Sequence, residues 1–204
     1  MDFITPPYLT QNISVRRVML QVLAALLPGI AVYVWLLGPV VLAQIAIATA
    51  TALVAEYLML KVMNKPVAPF LGDGSAVVTA WLIALAFPPL APWWLVVVGT
   101  AFAIVIAKHL YGGLGQNPFN PAMIAFAVCI VSFPALMSQW PPVDLKAGLD
   151  AQLALIFGHS PRIDAISGAT PLDALKTALK LGEGQATVAG VLADPGVFGR
   201  IAGK

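Results

Sequence analysis

The sequence predicts an all-α polytopic membrane protein, a five-helix unit with a short, broken third helix, followed by a more polar segment. Three observations carry this reading. Of 204 residues, 60% are hydrophobic and 10% charged, with a mean hydropathy of +0.90; a soluble domain carries about 25% charged residues. The apolar residues gather into five runs. Charge also splits the chain near residue 138: residues 1–137 hold five Lys/Arg and three Asp/Glu, whereas 138–204 hold six of each. The first region reads as a membrane domain and the second as mostly soluble.

The five runs are 18–37, 40–60, 75–87, 92–107 and 121–137. Crossing the hydrocarbon takes about 20 residues, about 17 at the low end. The first two runs are long enough, and the fourth and fifth are marginal. The third is too short alone, bounded by Gly72-Asp73-Gly74 and by Pro88-Pro89. It is expected to be half of a discontinuous helix, with residues 67–71 entering as non-helical backbone. Such backbone survives at membrane depth only where protein or a polar cavity satisfies it.

Orientation follows from the basic residues. Arg16 and Arg17 precede the first run, Lys61 and Lys65 follow the second, and Lys108 follows the fourth; the turns at 38–39 and 88–91 carry no charge. Five crossings put all five cations on one side, which places the N-terminus in the cytoplasm and residues 138–190 outside. In a bacterium this is the inner membrane, with 138–190 in the periplasm. Pro6 and Pro7 and the lack of a small-residue cleavage site argue that the first run is a retained helix rather than a cleaved signal.

In the outer segment the clearest element is a helix over 171–181. Leu172, Leu175 and Leu179 recur at i, i+3 and i+7. Thr170 is placed to cap it, with Pro171 at its first position and Gly182 as its stop.

Several chemistries are excluded. A net charge of +2 suggests no nucleic-acid surface. One cysteine, Cys129, in an apolar run builds no disulfide or thiolate cluster and reads as a small buried hydrophobe. His109 and His159 fall on opposite faces, so they share no metal. No nucleotide-binding loop is present, and no catalytic residue is assigned.

One stretch carries chemistry. Asp164-Ala165-Ile166-Ser167-Gly168-Ala169-Thr170 resembles the acceptor motif of flavin transferases, D-x-x-[ST]-G-A-[ST], at every defined position. In proteins bearing that motif the last hydroxyl takes FMN through a phosphoester. Physics suits this at Thr170. Free N–H groups and the positive dipole end at a helix N-terminus favour an anion, and Gly168 lets the backbone approach a phosphate closely. The plain alternative is a loop into a helix with Thr170 as an ordinary cap.

The context extends the likeness. Asn117-Pro118-Phe119-Asn120-Pro121-Ala122 follows the turn Gly112-Gly113-Leu114-Gly115, and Leu71-Gly72-Asp73-Gly74-Ser75 lies upstream. The arrangement resembles the RnfD family of the Rnf electron-transport complex and its NqrB homologues in the sodium-translocating NADH:quinone oxidoreductase. The resemblance covers the whole chain. It implies covalent FMN at Thr170, with Asp164, Ser167, Gly168 and Ala169 as the segment a separate flavin transferase recognises. It implies electron relay beside other membrane and iron–sulfur subunits, coupled to movement of Na⁺ or H⁺, between ferredoxin and NAD or from NADH to quinone. The implied fold is that of urea transporters, with two five-helix inverted repeats. This chain then looks like the N-terminal half, with 191–204 as the start of a second repeat.

Other polar residues have two readings each. Asp73 could bind a cation with oxygens from Ser75 and Thr79, or cap the third helix; the cap is the expectation adopted. Glu56, about a turn from Lys61, would snorkel or pair near the cytoplasmic face. Asn117 and Asn120 could bind a second, non-covalent flavin (riboflavin) or line an ion path, while Asn120 before Pro121 is equally an N-cap. His159 and Arg162 are near enough to Thr170 in sequence to touch its flavin. The tryptophans at 35, 81, 93, 94 and 140 read as an aromatic belt near helix ends. The leading function is a flavin-bearing redox relay; the rivals are a channel or transporter for a small solute or ion through the broken helix, and an assembly scaffold without redox chemistry.

Overall fold

A computed structural model describes residues 14–141, 148–158 and 176. Every regular element among them is helical. Helix α1 spans Val15–Leu37 and α2 spans Val40–Val62. A five-residue helix α3, Val67–Leu71, precedes α4, Ser75–Ala86. Helix α5, Trp93–Phe102, continues without a break as a π-helix over Ala103–Leu110. Then come α6, Pro121–Ser132, the single turn α7, Pro134–Met137, and α8, Leu149–Phe157.

Four stretches are long and apolar enough to cross a membrane: Val15–Leu37, Val40–Val62, Val67–Ala86 and Trp93–Leu110, with Pro121–Ser132 as a shorter apolar helix. The chain is a multi-pass membrane protein. Ser14 starts α1 by accepting from the Arg17 N–H at 3.3 Å, so Arg16 and Arg17 lie inside the first turn rather than ahead of it. Gly38, at φ +94°, ends α1 in a backbone conformation that disfavours other residues.

Three expectations are corrected. Residues 67–71 are helical, not irregular, so the third stretch reaches 20 residues across its break at Gly72-Asp73-Gly74. The fourth helix runs on to Leu110, which makes Lys108 part of the helix rather than of a loop. The fifth is divided at Phe133-Pro134, because proline lacks an N–H and forces the preceding residue out of the helical region; Phe133 sits at φ −133°, ψ 55°.

Helix α2 is the centre of the bundle and packs chiefly on α4 and α5. Ala48, Ala52 and Ala55 on α2 and Ala76, Ala80 and Ala84 on α4 are buried. Small residues at helical spacing let backbones approach closely, which is how helices associate where the solvent is itself apolar. Ile83, Phe87, Leu95, Val96, Ile104, Ala125 and Cys129 complete the core. Only Ile30 of α1 is buried; Leu20, Leu27, Val32 and Trp35 face outward, as suits a lipid-facing helix. Trp81 departs from the belt reading: it lies mid-helix in α4 and packs against the core.

Candidate functional site

Helix α2 carries two buried polar residues, one toward each end. Gln44 donates from Nε2 to the carbonyls of Pro89 (3.2 Å) and Ala91 (2.7 Å), tying α2 to the turn between α4 and α5. Glu56, 1% exposed, lies about 18 Å further along the helix axis at the usual rise per residue.

Glu56 is the hub of a charged cluster. The Lys108 ammonium donates to both its carboxylate oxygens at 2.8 Å and to Ser75 Oγ at 2.8 Å. All three ammonium protons are thereby used. Ser75 Oγ donates in turn to Asp73 Oδ1 at 2.6 Å. His109 Nε2 lies 3.1 Å from Glu56 Oε2, within ion-pair reach but off the line of a well-formed hydrogen bond; its Nδ1 has no partner among the described residues. Lys108 and His109 are each 3% exposed.

The π-helix explains how two consecutive residues reach one carboxylate. Its wider turn puts less rotation between neighbours than an α-helix does, so Lys108 and His109 both point toward α2. Such segments are rare and concentrate at functional sites.

Asp73 behaves as a turn-forming acid. Its Oδ1 accepts from the Ser75 backbone N–H at 2.7 Å as well as from the Ser75 hydroxyl, just ahead of α4. The adopted reading holds with a shift of one position: the cap residue itself is Gly74, at φ +83°. Thr79 Oγ donates to the Ser75 carbonyl at 3.0 Å. Asn120 caps α6, accepting from the Ala122 N–H at 2.9 Å, and Asn117 Nδ2 donates to the Phe119 carbonyl at 2.7 Å.

These residues, scattered in sequence, share one cavity of about 260 Å³. Ser75, Thr79, Lys108, Asn117 and Asn120 line it, with Met19 of α1 closing one side. Lys65 donates to the Gly112 carbonyl at 3.1 Å, holding the Gly-rich turn over the same end of the bundle. Electrostatically, two carboxylates, one direct and one through Ser75, face the Lys108 ammonium.

Glu56 corrects its sequence reading. It pairs across the fold with Lys108 and His109, not with Lys61, whose ammonium lies 5.8 Å from the centre of the Tyr57 ring. That pairing had no sequence signal, since 52 residues separate the partners. The attachment stretch, with Asp164, Ser167, Gly168, Ala169 and Thr170, lies outside the described residues, as do His159, Arg162 and the helix expected over 171–181.

A model of the NQR2, RnfD, RnfE family matches residues 3–203. Among curated relatives, a protein of Escherichia fergusonii named as the D subunit of an ion-translocating oxidoreductase complex is 47% identical over 212 residues, covering 97% of this chain and 59% of the relative. Proteins of the same name from Citrobacter koseri and Salmonella paratyphi B are 48% and 46% identical, covering 86% and 97% of this chain and 55% and 59% of theirs. The chain spans a little over half the length of these relatives.

Proposed function

The chain belongs to the NQR2, RnfD, RnfE family, and from that premise we propose that it is the flavin-bearing part of a membrane redox protein. It relays electrons within an ion-translocating oxidoreductase complex, between ferredoxin and NAD or from NADH to quinone, with FMN held on Thr170 through a phosphoester. One observation carries the reading: the complete stretch Asp164-x-x-Ser167-Gly168-Ala169-Thr170, in a chain whose relatives bear the name of such a complex.

When attached, the flavin supplies the redox chemistry; the protein supplies its position and surroundings. Thr170 provides the ester oxygen. Asp164, Ser167, Gly168 and Ala169 form the segment a separate flavin transferase must read, and the helix that the sequence predicts from Pro171 would offer its free N–H groups to the phosphate. The partners are the other membrane and iron–sulfur subunits. The setting is the bacterial inner membrane, with the N-terminus in the cytoplasm and 138–190 in the periplasm. The five-helix unit is one of two inverted repeats. A second, non-covalent flavin would use Asn117 and Asn120, which line a cavity of about 260 Å³; Asn120 also caps α6 through its side-chain oxygen.

The rival reading, a channel or transporter, rests on the break at Gly72-Asp73-Gly74; among the described residues Lys108 occupies the acidic site behind that break. Denaturing electrophoresis under ultraviolet light tests the proposal. In cells that contain the transferase, the wild-type band fluoresces and the Thr170→Ala band is dark. A dark wild-type band removes the flavin. A fluorescent wild type whose Thr170→Ala variant still supports electron transfer in an assembled complex leaves the scaffold reading instead.

A further inference from the structure

An open groove of about 580 Å³ runs down the outside of the bundle between α2 and α5. Ala50, Val54 and Leu58 line it from α2, and Val97, Ala101 and Val105 from α5 and its π-helical continuation. Val54 and Leu58 are more than half exposed. The hydroxyl in its wall, on Thr51, donates to the Ile47 carbonyl at 2.8 Å. The wall therefore offers a polar occupant nothing to replace its lost hydrogen bonds, and the occupant that suits it is hydrocarbon.

Length and depth narrow the choice. Ala50 lies at the middle of α2 and Met59, also in the wall, in its last turn. The nine positions between them rise about 14 Å, close to half of a hydrocarbon core about 30 Å thick. The groove thus spans one leaflet. A transmembrane helix from another subunit needs a seat through both leaflets, whereas a single acyl chain needs one.

Charge marks the end that meets the headgroups. Lys61 follows Leu58 by three positions, which puts it on the same side of α2 one turn further on, and it is exposed. Its ammonium lies 5.8 Å from the centre of the Tyr57 ring, and no carboxylate pairs with it among the described residues. Arg16 and Arg17 are exposed at the same end. The described carboxylates there are turned to other partners: Glu56 is buried against Lys108, and Asp73 accepts from Ser75. A lipid tail gains nothing from the hydrophobic effect on leaving the bilayer for an equally apolar wall. Headgroup charge is then what tells one lipid from another.

We propose that this groove is a binding site for a phospholipid with a net negative headgroup, its acyl chain seated between α2 and α5 and its phosphate against Lys61. Photolabelling tests this on the full-length protein in its complex, reconstituted into phosphatidylcholine vesicles. The vesicles carry a trace of either phosphatidylglycerol or phosphatidylcholine, each with the same photoactivatable acyl chain, and mass spectrometry of the digest maps the adducts. In the wild type, phosphatidylglycerol is expected to label residues 50–59 and 97–105 about fivefold more than phosphatidylcholine, the weight of one basic side chain at an anionic headgroup. Lys61→Gln brings the two lipids to parity, and Lys61→Arg keeps the preference. Val54→Trp, which fills the groove from an exposed position, removes the adducts of both lipids there. Leu20→Trp, on the outward face of α1, leaves them unchanged. Equal labelling in the wild type, a preference that survives Lys61→Gln, or adducts retained in Val54→Trp overturns the proposal. So does a groove without adducts in the wild-type complex, which leaves another subunit's helix as its occupant.

Discussion

Glu56 shows what a single residue's partner can and cannot be read from. Lys61 follows Glu56 by five positions, which places it well round the helix; side chains meet at i, i+3 and i, i+4. Lys61 accordingly meets Tyr57, and the carboxylate is left for Lys108 on another element. Local chemistry was legible wherever a residue's partner is its own neighbour, as for Asp73 with Ser75 and Asn120 with Ala122. The cluster was not, because its contacts are made by packing. The pair carries a definite energetic expectation. Losing one partner strands a buried charge, at a cost of about 3–5 kcal/mol, whereas replacing both partners by apolar residues of similar volume is often neutral. Lys108→Met should therefore lower unfolding stability in detergent more than the Glu56→Leu, Lys108→Met double variant. Equal losses in the two proteins would mean the ion pair is not the determinant.

At the scale of the element, hydrophobic runs located α1 and α2 almost residue for residue, because lipid-spanning length is written directly in composition. The π-helical stretch was invisible: its departure from the α ladder leaves no mark in hydropathy or spacing. Helix α8 was readable and missed. Leu149, Leu153, Ile156 and Phe157 recur at i, i+4, i+7 and i+8, but the polar surroundings masked them. Helix α5 packs against its neighbours through Gly99, where an added Cβ would lie 2.8 Å from Phe87 Cζ and 3.1 Å from Cys129 Sγ. Gly99→Val should destabilise the bundle by about 1–3 kcal/mol through overpacking, and Phe87→Leu in the same chain should recover part of it. Thermal unfolding of the purified single and double variants checks this.

For the whole molecule, the sequence predicted a membrane protein of five segments, and four long stretches with one shorter helix are present. The geometry adds that the basic residues Lys61 and Lys65 share one end of the bundle with the charged cluster, while Gly38 and α8 share the other. The proposed orientation is testable on intact cells with a thiol reagent that cannot cross the inner membrane. Leu149→Cys should react from the periplasm and Lys65→Cys only after lysis. Reaction of both from the same side would contradict it. The stretch proposed to carry the flavin, Asp164 to Thr170, was legible as a motif because its defined positions are consecutive in sequence.

Gln44 gives α2 a mechanical character. By gripping two carbonyls of the turn that joins α4 to α5, while Glu56 grips the π-helical end of the α5 stretch, the rod is pinned at both of its extremities to the same neighbour. It cannot slide along that neighbour without breaking one pin, but it can pivot with it. Sliding the rod would therefore cost buried hydrogen bonds at both pins, which lie about 18 Å apart along the helix axis.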